Sequence, residues 1–242
     1  MKVLNDLLWD GELKIYQDTE SFMFSLDSVL LANFVTINKS TKKILDIGTG
    51  NAPIPLMLTK RTNAIIDAVE IQEKSYDLAV ESIEYNKLDK QINVICADIN
   101  ELYKNMGNNC YDVIISNPPY YGTDMLSSLN SNKKIARNDS NLSLDNIFMV
   151  AKRLLKNNGN IAIVFDSKRL VDVISSMKSY SIEPKKIQFV YPKTDRPSNV
   201  FLIEGTKNGK PGLKVLNSIV LQNSENEYTN AIKKILKEFG KY

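Results

Sequence analysis

The stretch "KKILDIGTGNAPIPLMLTKR" (42–61) changes character in its middle. Ile44 to Ile47 form a short apolar run of the kind that fills a strand covered on both faces. Gly48 and Gly50 follow, then Pro53 and Pro55. The prolines fit only the first turn of a helix, where amide protons have no intrahelical acceptor. Strand, glycine turn and helix make the opening of a βα unit.

The same alternation continues on the carboxyl side. "AIIDAVE" (64–70), "INVICAD" (92–98), "YDVIIS" (111–116) and "NIAIVF" (160–165) read as four more strands. Helical spacing of apolar residues predicts helices over 73–87, 143–156 and 167–179. "KIQFVY" (186–191) and "NVFLIEG" (199–205) are separated by a polar loop too short for a crossover helix, which predicts an antiparallel pair. The reading is an α/β sandwich in a single domain over 1–242. It has a short N-terminal extension (1–41), a core (42–205) and a C-terminal hairpin strand and helix (206–242).

Composition narrows the chemistry. The 242 residues are 43% hydrophobic and 24% charged, an ordinary globular balance. No run is long and apolar enough to span a membrane, and the N-terminus carries acids where a signal peptide would be apolar, so a cytoplasmic protein is expected. Cys96 and Cys110 are the only cysteines, too few for a disulfide framework or a zinc site, and no metal is expected. There is no histidine, which excludes the serine triad, HExxH zinc sites and imidazole acid–base catalysis. Residues 1–130 hold 11 Lys/Arg against 18 Asp/Glu, whereas residues 131–242 hold 20 against 10. Charge alone leaves two readings open for the basic half: a solvated Lys-rich surface, or a face for a polyanion.

In parallel sheets, ligands sit at the carboxyl ends of the strands, and the unusual residues gather there. The glycine turn (46–53) has proline where a dinucleotide fingerprint needs a third glycine, and no P-loop Lys-Ser/Thr. An adenosine-like ligand suits it better than a pyrophosphate. Glu70 lies 22 residues past Gly48, where a carboxylate accepts from ribose hydroxyls. Asp98 ends the third strand and can accept from an adenine amine or cap a following helix. The fourth strand ends in Asn117-Pro118-Pro119-Tyr120. An exocyclic adenine amine is a poor nucleophile, because its lone pair is delocalised into the ring. It needs fixed acceptors for its two N–H groups: the Asn117 side-chain carbonyl and the Pro118 main-chain carbonyl. Pro119 stiffens the bend, and Tyr120 offers a stacking face.

These motifs, "LDIGTGNAPIPL", "AVEI", "CADI" and "DVIISNPPYY", resemble class I S-adenosylmethionine-dependent methyltransferases with an NPPY motif, over about residues 20–205. The resemblance implies a Rossmann-like, seven-stranded, mostly parallel sheet with an antiparallel last strand, and S-adenosyl-L-methionine as cofactor. It implies that Asp46, Gly48 and Gly50 hold the methionine part, Glu70 the ribose hydroxyls, and Asp98 with Ile99 the adenine, with Ile71 also among the cofactor-binding residues. Asn117, which also borders the cofactor, acts with Pro118, Pro119 and Tyr120 on the target amine. "FMFSLDSVLLANFV" (22–35) resembles the segment preceding the first strand in the N6-adenine branch, where Phe24, Asp27 and Ser28 line the methionine end; an amphipathic packing helix is the other reading of it.

NPPY is shared among substrate classes. The whole chain is most similar to bacterial tRNA1(Val) adenine-37 N6-methyltransferases, through "NPPYYG", "ARND", "VAKRLLKNNG" and "FLIEGTKNGKPGLKV". Members often carry histidine where this chain has Asn138. That resemblance implies a tRNA anticodon loop as partner, with Lys133, Lys134, Arg137, Arg196, Lys207 and Lys210 as RNA contacts. "KNGKPG" (207–212) reads equally as an ordinary polar turn. A monomer is expected. The rivals are methylation of an rRNA guanine N2 or a protein glutamine, and an RNA-binding module without turnover.

Overall fold

A computed structural model describes residues 1–19, 24–119, 142–237 and 239. Tyr120, Lys133, Lys134, Arg137 and Asn138 lie outside them.

The first described elements are a hairpin, β1 (Lys2–Asp6) and β2 (Lys14–Asp18), and a helix, α1 (Leu26–Phe34). The βα series then runs β3 (Lys43–Ile47), α2 (Pro53–Leu58), β4 (Ile65–Glu70), α3 (Glu73–Tyr85), β5 (Ile92–Cys96), α4 (Ile99–Asn105) and β6 (Tyr111–Ser116). It continues with α5 (Leu144–Leu154), β7 (Leu155–Asp166), a 3-10 turn (Ser167–Arg169), α6 (Leu170–Ser179), β8 (Ile182–Tyr191) and β9 (Val200–Lys207). The tail adds β10 (Lys214–Val215), β11 (Ile219–Val220) and α7 (Asn230–Lys237).

The main sheet has the order β10-β8-β9-β7-β6-β3-β4-β5, with β11 also on β8. β9 runs antiparallel to both of its neighbours, as the short polar loop before it requires. The Rossmann-like sandwich expected from the resemblance is present, with the chain doubling back at β3. Strand alternation sorts the side chains into two cores. Ile44, Val113 and Ile115 face α1, α2, α3 and α7, while Leu45, Ile47 and Ile114 face α4, α5 and α6. Both faces are apolar, so β3 and β6 read as continuous hydrophobic runs.

Three details differ from the sequence reading. Helix α5 ends at Leu154, because Leu155 is drawn into the sheet opposite Tyr111. The next three polar residues and Gly159 bulge out before pairing resumes at Asn160. A side chain at Gly159 would sit 3.0 Å from the Asp112 carbonyl. Secondly, residues 206–242 do not add a hairpin strand to β9. Both edges of β9 are taken by β7 and β8, so the returning chain crosses to the free edge of β8. There it lays down β10 and β11 parallel to that strand, making nine strands in place of seven. Thirdly, the N-terminal extension carries the β1–β2 hairpin, which docks on α3 through Tyr16 N to Ser82 Oγ (2.9 Å) and Lys14 N to Asn86 Oδ1 (3.0 Å).

The carboxyl edge of the sheet is stepped. Ser116 ends β6 level with Ile47 at the end of β3 and with Ile163 in β7. β7 continues three residues further to Asp166, where it meets the start of β9, and β8 runs on to Tyr191. At 3.3 Å per residue, β7, β9 and β8 stand about 10 Å above the ends of β3 and β6.

Candidate active site

The floor of the step is the turn after β3. Gly48 (φ 71°) and Gly50 (φ 59°) adopt left-handed backbone that favours glycine. Gly48 N and Thr49 N both donate to the Val69 carbonyl (2.9 and 3.0 Å), which folds the turn back onto β4. Among the described residues, nothing lies within 4 Å of where a Cβ on Gly50 would be. Asn51 Nδ2 donates to the Tyr16 carbonyl (2.8 Å), tying the turn to the N-terminal hairpin.

Two carboxylates converge here. Asp46 is 1% exposed, and its Oδ2 accepts from Thr49 Oγ1 (2.6 Å). Its Oδ1 is buried with no hydrogen-bond partner among the described residues. Burial, opposed by the Thr49 hydrogen bond and reinforced by the Glu70 charge, pushes its pKa up to about 7. Glu70, 6% exposed, accepts from Gly50 N at Oε2 (2.8 Å) and Gln72 N at Oε1 (2.9 Å). Burial raises its pKa, and those backbone bonds pull the other way. Among the described residues neither acid has a Lys or Arg partner. A buried carboxylate with an unused oxygen and no protein cation is costly unless a ligand supplies the missing charge. The methionine ammonium and the sulfonium of S-adenosylmethionine are such charges, so the residues present fit the group.

The remaining expected residues are distributed around this floor. Ala97 N donates to the Glu70 carbonyl (2.9 Å), which brings Asp98 next to the Glu70 strand end. Asp98 Oδ1 accepts from Asn100 N (2.8 Å), so the capping role foreseen as its alternative is realised. Ile99 is buried at 5% and Ile71 stands at the rim, 40% exposed. Phe24 packs against the core cluster around α1, and Asp27 occupies the first turn of that helix.

At the foot of the step, Asn117 Nδ2 is 3.1 Å from Ser28 Oγ on α1. Ser116 Oγ donates to the Ile47 carbonyl (2.8 Å), locking the end of β6 to the cofactor turn. Pro118 is buried and Pro119 exposed. The far end of α1 is fixed too. Arg61 bonds the carbonyls of Ala32 and Val35, Lys186 Nζ reaches the Phe34 carbonyl (2.7 Å), and Thr36 N donates to Glu204 (2.7 Å).

Sequence reasoning passed over Thr49 and Asn51. Both sit inside the glycine motif, and their polarity between a buried strand and a helix was the available signal. Of the expected RNA contacts, Arg196 is exposed on the loop between β8 and β9, on the high side of the step. Lys207 and Lys210 follow β9 to the opposite end of the sheet. Lys207 is 8% exposed, and its ammonium is held by Asn109 Oδ1 (2.7 Å) and the Leu155 carbonyl (2.8 Å). That end also holds two surface recesses of about 290 and 200 Å³, neither lined by the converging acids. Among the described residues there is no cluster of metal-ligating side chains, and no helix is long and apolar enough to cross a membrane.

Residues 24–180 match the family model of the methyltransferase small domain. The chain is 31% identical over 227 residues to a tRNA1(Val) (adenine(37)-N6)-methyltransferase of Parabacteroides distasonis, covering 93% of each chain. It is 32% identical over 234 residues to one from Bacteroides fragilis, covering 94% of each. The chain belongs to the methyltransferase small domain family, among the tRNA1(Val) (adenine(37)-N6)-methyltransferases. Solved structures agree on the methyltransferase fold. A predicted O-methyltransferase from Agrobacterium tumefaciens superposes with a TM-score of 0.69 at 16% identity, covering 87% of this chain and 95% of that one. The M. capricolum TrmK bound to S-adenosyl-homocysteine gives 0.52 at 21% identity, over 78% of this methyltransferase and 71% of its own length.

Proposed function

We propose that this chain transfers the methyl group of S-adenosylmethionine to N6 of an adenine in tRNA, acting on adenine 37 in the anticodon loop as a cytoplasmic monomer. The observation that carries the reading is the pairing, on adjacent strands, of a buried carboxylate site lacking a protein cation with an Asn-Pro-Pro strand end.

When bound, S-adenosylmethionine supplies an electrophilic methyl group on a sulfonium, whose departure leaves a neutral thioether. Asp46 and Glu70 hold its cationic and hydroxyl-bearing parts, and the open side of Gly50 admits its backbone approach. Ser28 turns the Asn117 amide so that Nδ2 faces α1 and Oδ1 points away from that helix. Asn117 Oδ1 and the Pro118 carbonyl accept the two N–H groups of the target amine and draw its lone pair out of conjugation with the ring. The amine so held would take up the methyl group as its bond to the cofactor sulfur broke. The surplus proton on the methylated amine is strongly acidic and passes to water, so the absence of histidine is no obstacle. A loop base is already single-stranded, which lowers the cost of presenting it to this strand end.

The test incubates the purified chain with methyl-labelled cofactor and, separately, tRNA lacking the modification, rRNA and total protein. The expected result is label in tRNA alone, recovered as N6-methyladenosine after digestion. Label in guanine or glutamine, or in nothing, would overturn the reading.

A further inference from the structure

We propose that the high side of the step, built from the turn Ser167–Arg169 and the loop 192–199, is the surface that grips the phosphate backbone of the RNA substrate. This rests on the tRNA reading above and says where the RNA lies. The two segments form one surface: Ser167 Oγ lies 2.8 Å from Ser198 Oγ, and Ser167 N donates to the Asn199 carbonyl (2.9 Å). They crown β7, β8 and β9, about 10 Å above the level at which Asn117 leaves β6.

Its charges are uncommitted. Lys168 and Arg196 are exposed, Lys193 is half-buried, and none of the three makes an ion pair among the described residues. The acids of the same surface are engaged or outnumbered. Asp166 caps the turn by accepting from Lys168 N (2.9 Å), Asp172 is paired with Arg169, and the loop adds one acid, Asp195, against Lys193 and Arg196. At the opposite end of the sheet Lys210 and Lys214 are exposed, but four other basic side chains are committed within the protein. Lys156 pairs with Asp112 (2.6 Å), Lys178 with Glu183, Lys186 bonds the end of α1, and Lys207 is buried.

The low side of the step is electronegative. Cys96, beside Glu70 on the next strand, has its thiol pKa raised, first by burial and then by Glu73, Glu70 and Asp77. A polyanion approaching Asn117 is repelled by the cofactor half and attracted to the wall. Cations free to exchange small counterions for phosphates provide the salt-dependent, sequence-independent part of RNA affinity. The exposed Thr194 adds a hydroxyl donor of the type used on phosphate oxygens, whereas the Ser198 hydroxyl is engaged with the Val190 and Val200 carbonyls. The wall therefore anchors the strand flanking the target base while the base itself reaches the floor.

The test measures the Kd of the full chain for tRNA across a salt series, together with its affinity for S-adenosylhomocysteine. The triple variant Lys168→Ala/Lys193→Ala/Arg196→Ala is expected to bind tRNA at least tenfold more weakly. Its slope of log Kd against log salt should be shallower by about 2–3. Its S-adenosylhomocysteine affinity should stay within about twofold of the parent, which also reports a native fold. The control Lys210→Ala/Lys214→Ala, at the opposite end, should leave both values unchanged. An unchanged tRNA Kd in the triple variant, or an equal loss in the control, would overturn the assignment. Binding rather than transfer is read, so a wild-type chain that binds tRNA but labels no adenine would count against the proposed function alone.

Discussion

The two halves of the sheet's carboxyl edge are built on opposite electrostatic plans. On β3 and β4, Asp46 and Glu70 are buried, and their pKa values are raised by desolvation. On the crown of β7 and β8, Lys168 and Arg196 are exposed and have no ion-pair partner among the described residues. Burying charge is expensive and is tolerated where a specific counter-charge arrives. Exposed charge is cheap, weakly directional and screened by salt, which suits a long flexible polyanion. Asn117 stands at the boundary, so it belongs to neither plan.

Breaking the boundary should have the largest effect. Asn117→Ala is expected to lower turnover by about a thousandfold while S-adenosylhomocysteine affinity, measured by calorimetry, stays near the parent value. Near-normal turnover would remove Asn117 from the chemistry. The floor should respond in the converse sense. Glu70→Ala loses an acceptor of ligand hydroxyls and of Gly50 N, and should weaken S-adenosylhomocysteine binding by about 10–100-fold. Its effect on the Kd for tRNA should be small, and a matched loss of both affinities would dissolve the distinction between floor and wall.

Asp46 sharpens the comparison through pH. Its pKa is raised in the fold from 3.8 to about 7, so the folded state holds the extra proton in that window. Stability of the ligand-free chain contributed by this group therefore falls as pH rises from 3.8 to about 7. Asp46→Asn should stabilise the ligand-free chain by about 1–4 kcal/mol at pH 8, and by little at pH 4, in denaturant titrations. A cationic ligand prefers the ionised acid, so wild-type affinity for S-adenosylhomocysteine should tighten as pH rises through 7, and Asp46→Asn should lose that dependence. An S-adenosylhomocysteine affinity in the wild type that is flat from pH 6 to 8 would contradict the role.

The smallest expected effect is at Ser28, beside Asn117. Ser28→Ala should lower kcat by about tenfold, with Ser28→Thr restoring part of it. Little further loss should appear when Ser28→Ala is combined with Asn117→Ala. A Ser28→Ala variant that weakened S-adenosylhomocysteine binding with unchanged kcat would make Ser28 a cofactor ligand, as the resemblance implied.

Local pattern made the strands and the floor legible. Ile44 to Ile47, Gly48 and Gly50 announce a buried strand and a left-handed turn within seven residues, and the order of such units implies the sheet. The N-terminal hairpin was not legible, because "KVLND" and "KIYQD" alternate too weakly to stand out and are fixed by Ser82, Asn86 and Asn51 from elsewhere. The early end of α5 was hidden for the same reason: the pull on Leu155 comes from Tyr111, a strand away.

The sequence by itself carried the glycine turn, the Asn-Pro-Pro-Tyr strand end and the lack of histidine, and the resemblance built on those motifs implied the reaction class, because residue identity and spacing are independent of folding. Only the tertiary structure decided which basic side chains are exposed and which are held inside the protein. Lys207 and Arg196 are both cationic residue types and lie 11 residues apart in the chain. β9 carries the first to the far end of the sheet and into a buried hydrogen-bond pair, while the loop before that strand leaves the second in water beside the site. A charge is read from a sequence one residue at a time. Its solvent exposure and its partners are set by strand direction and register, through contacts between residues far apart in the chain.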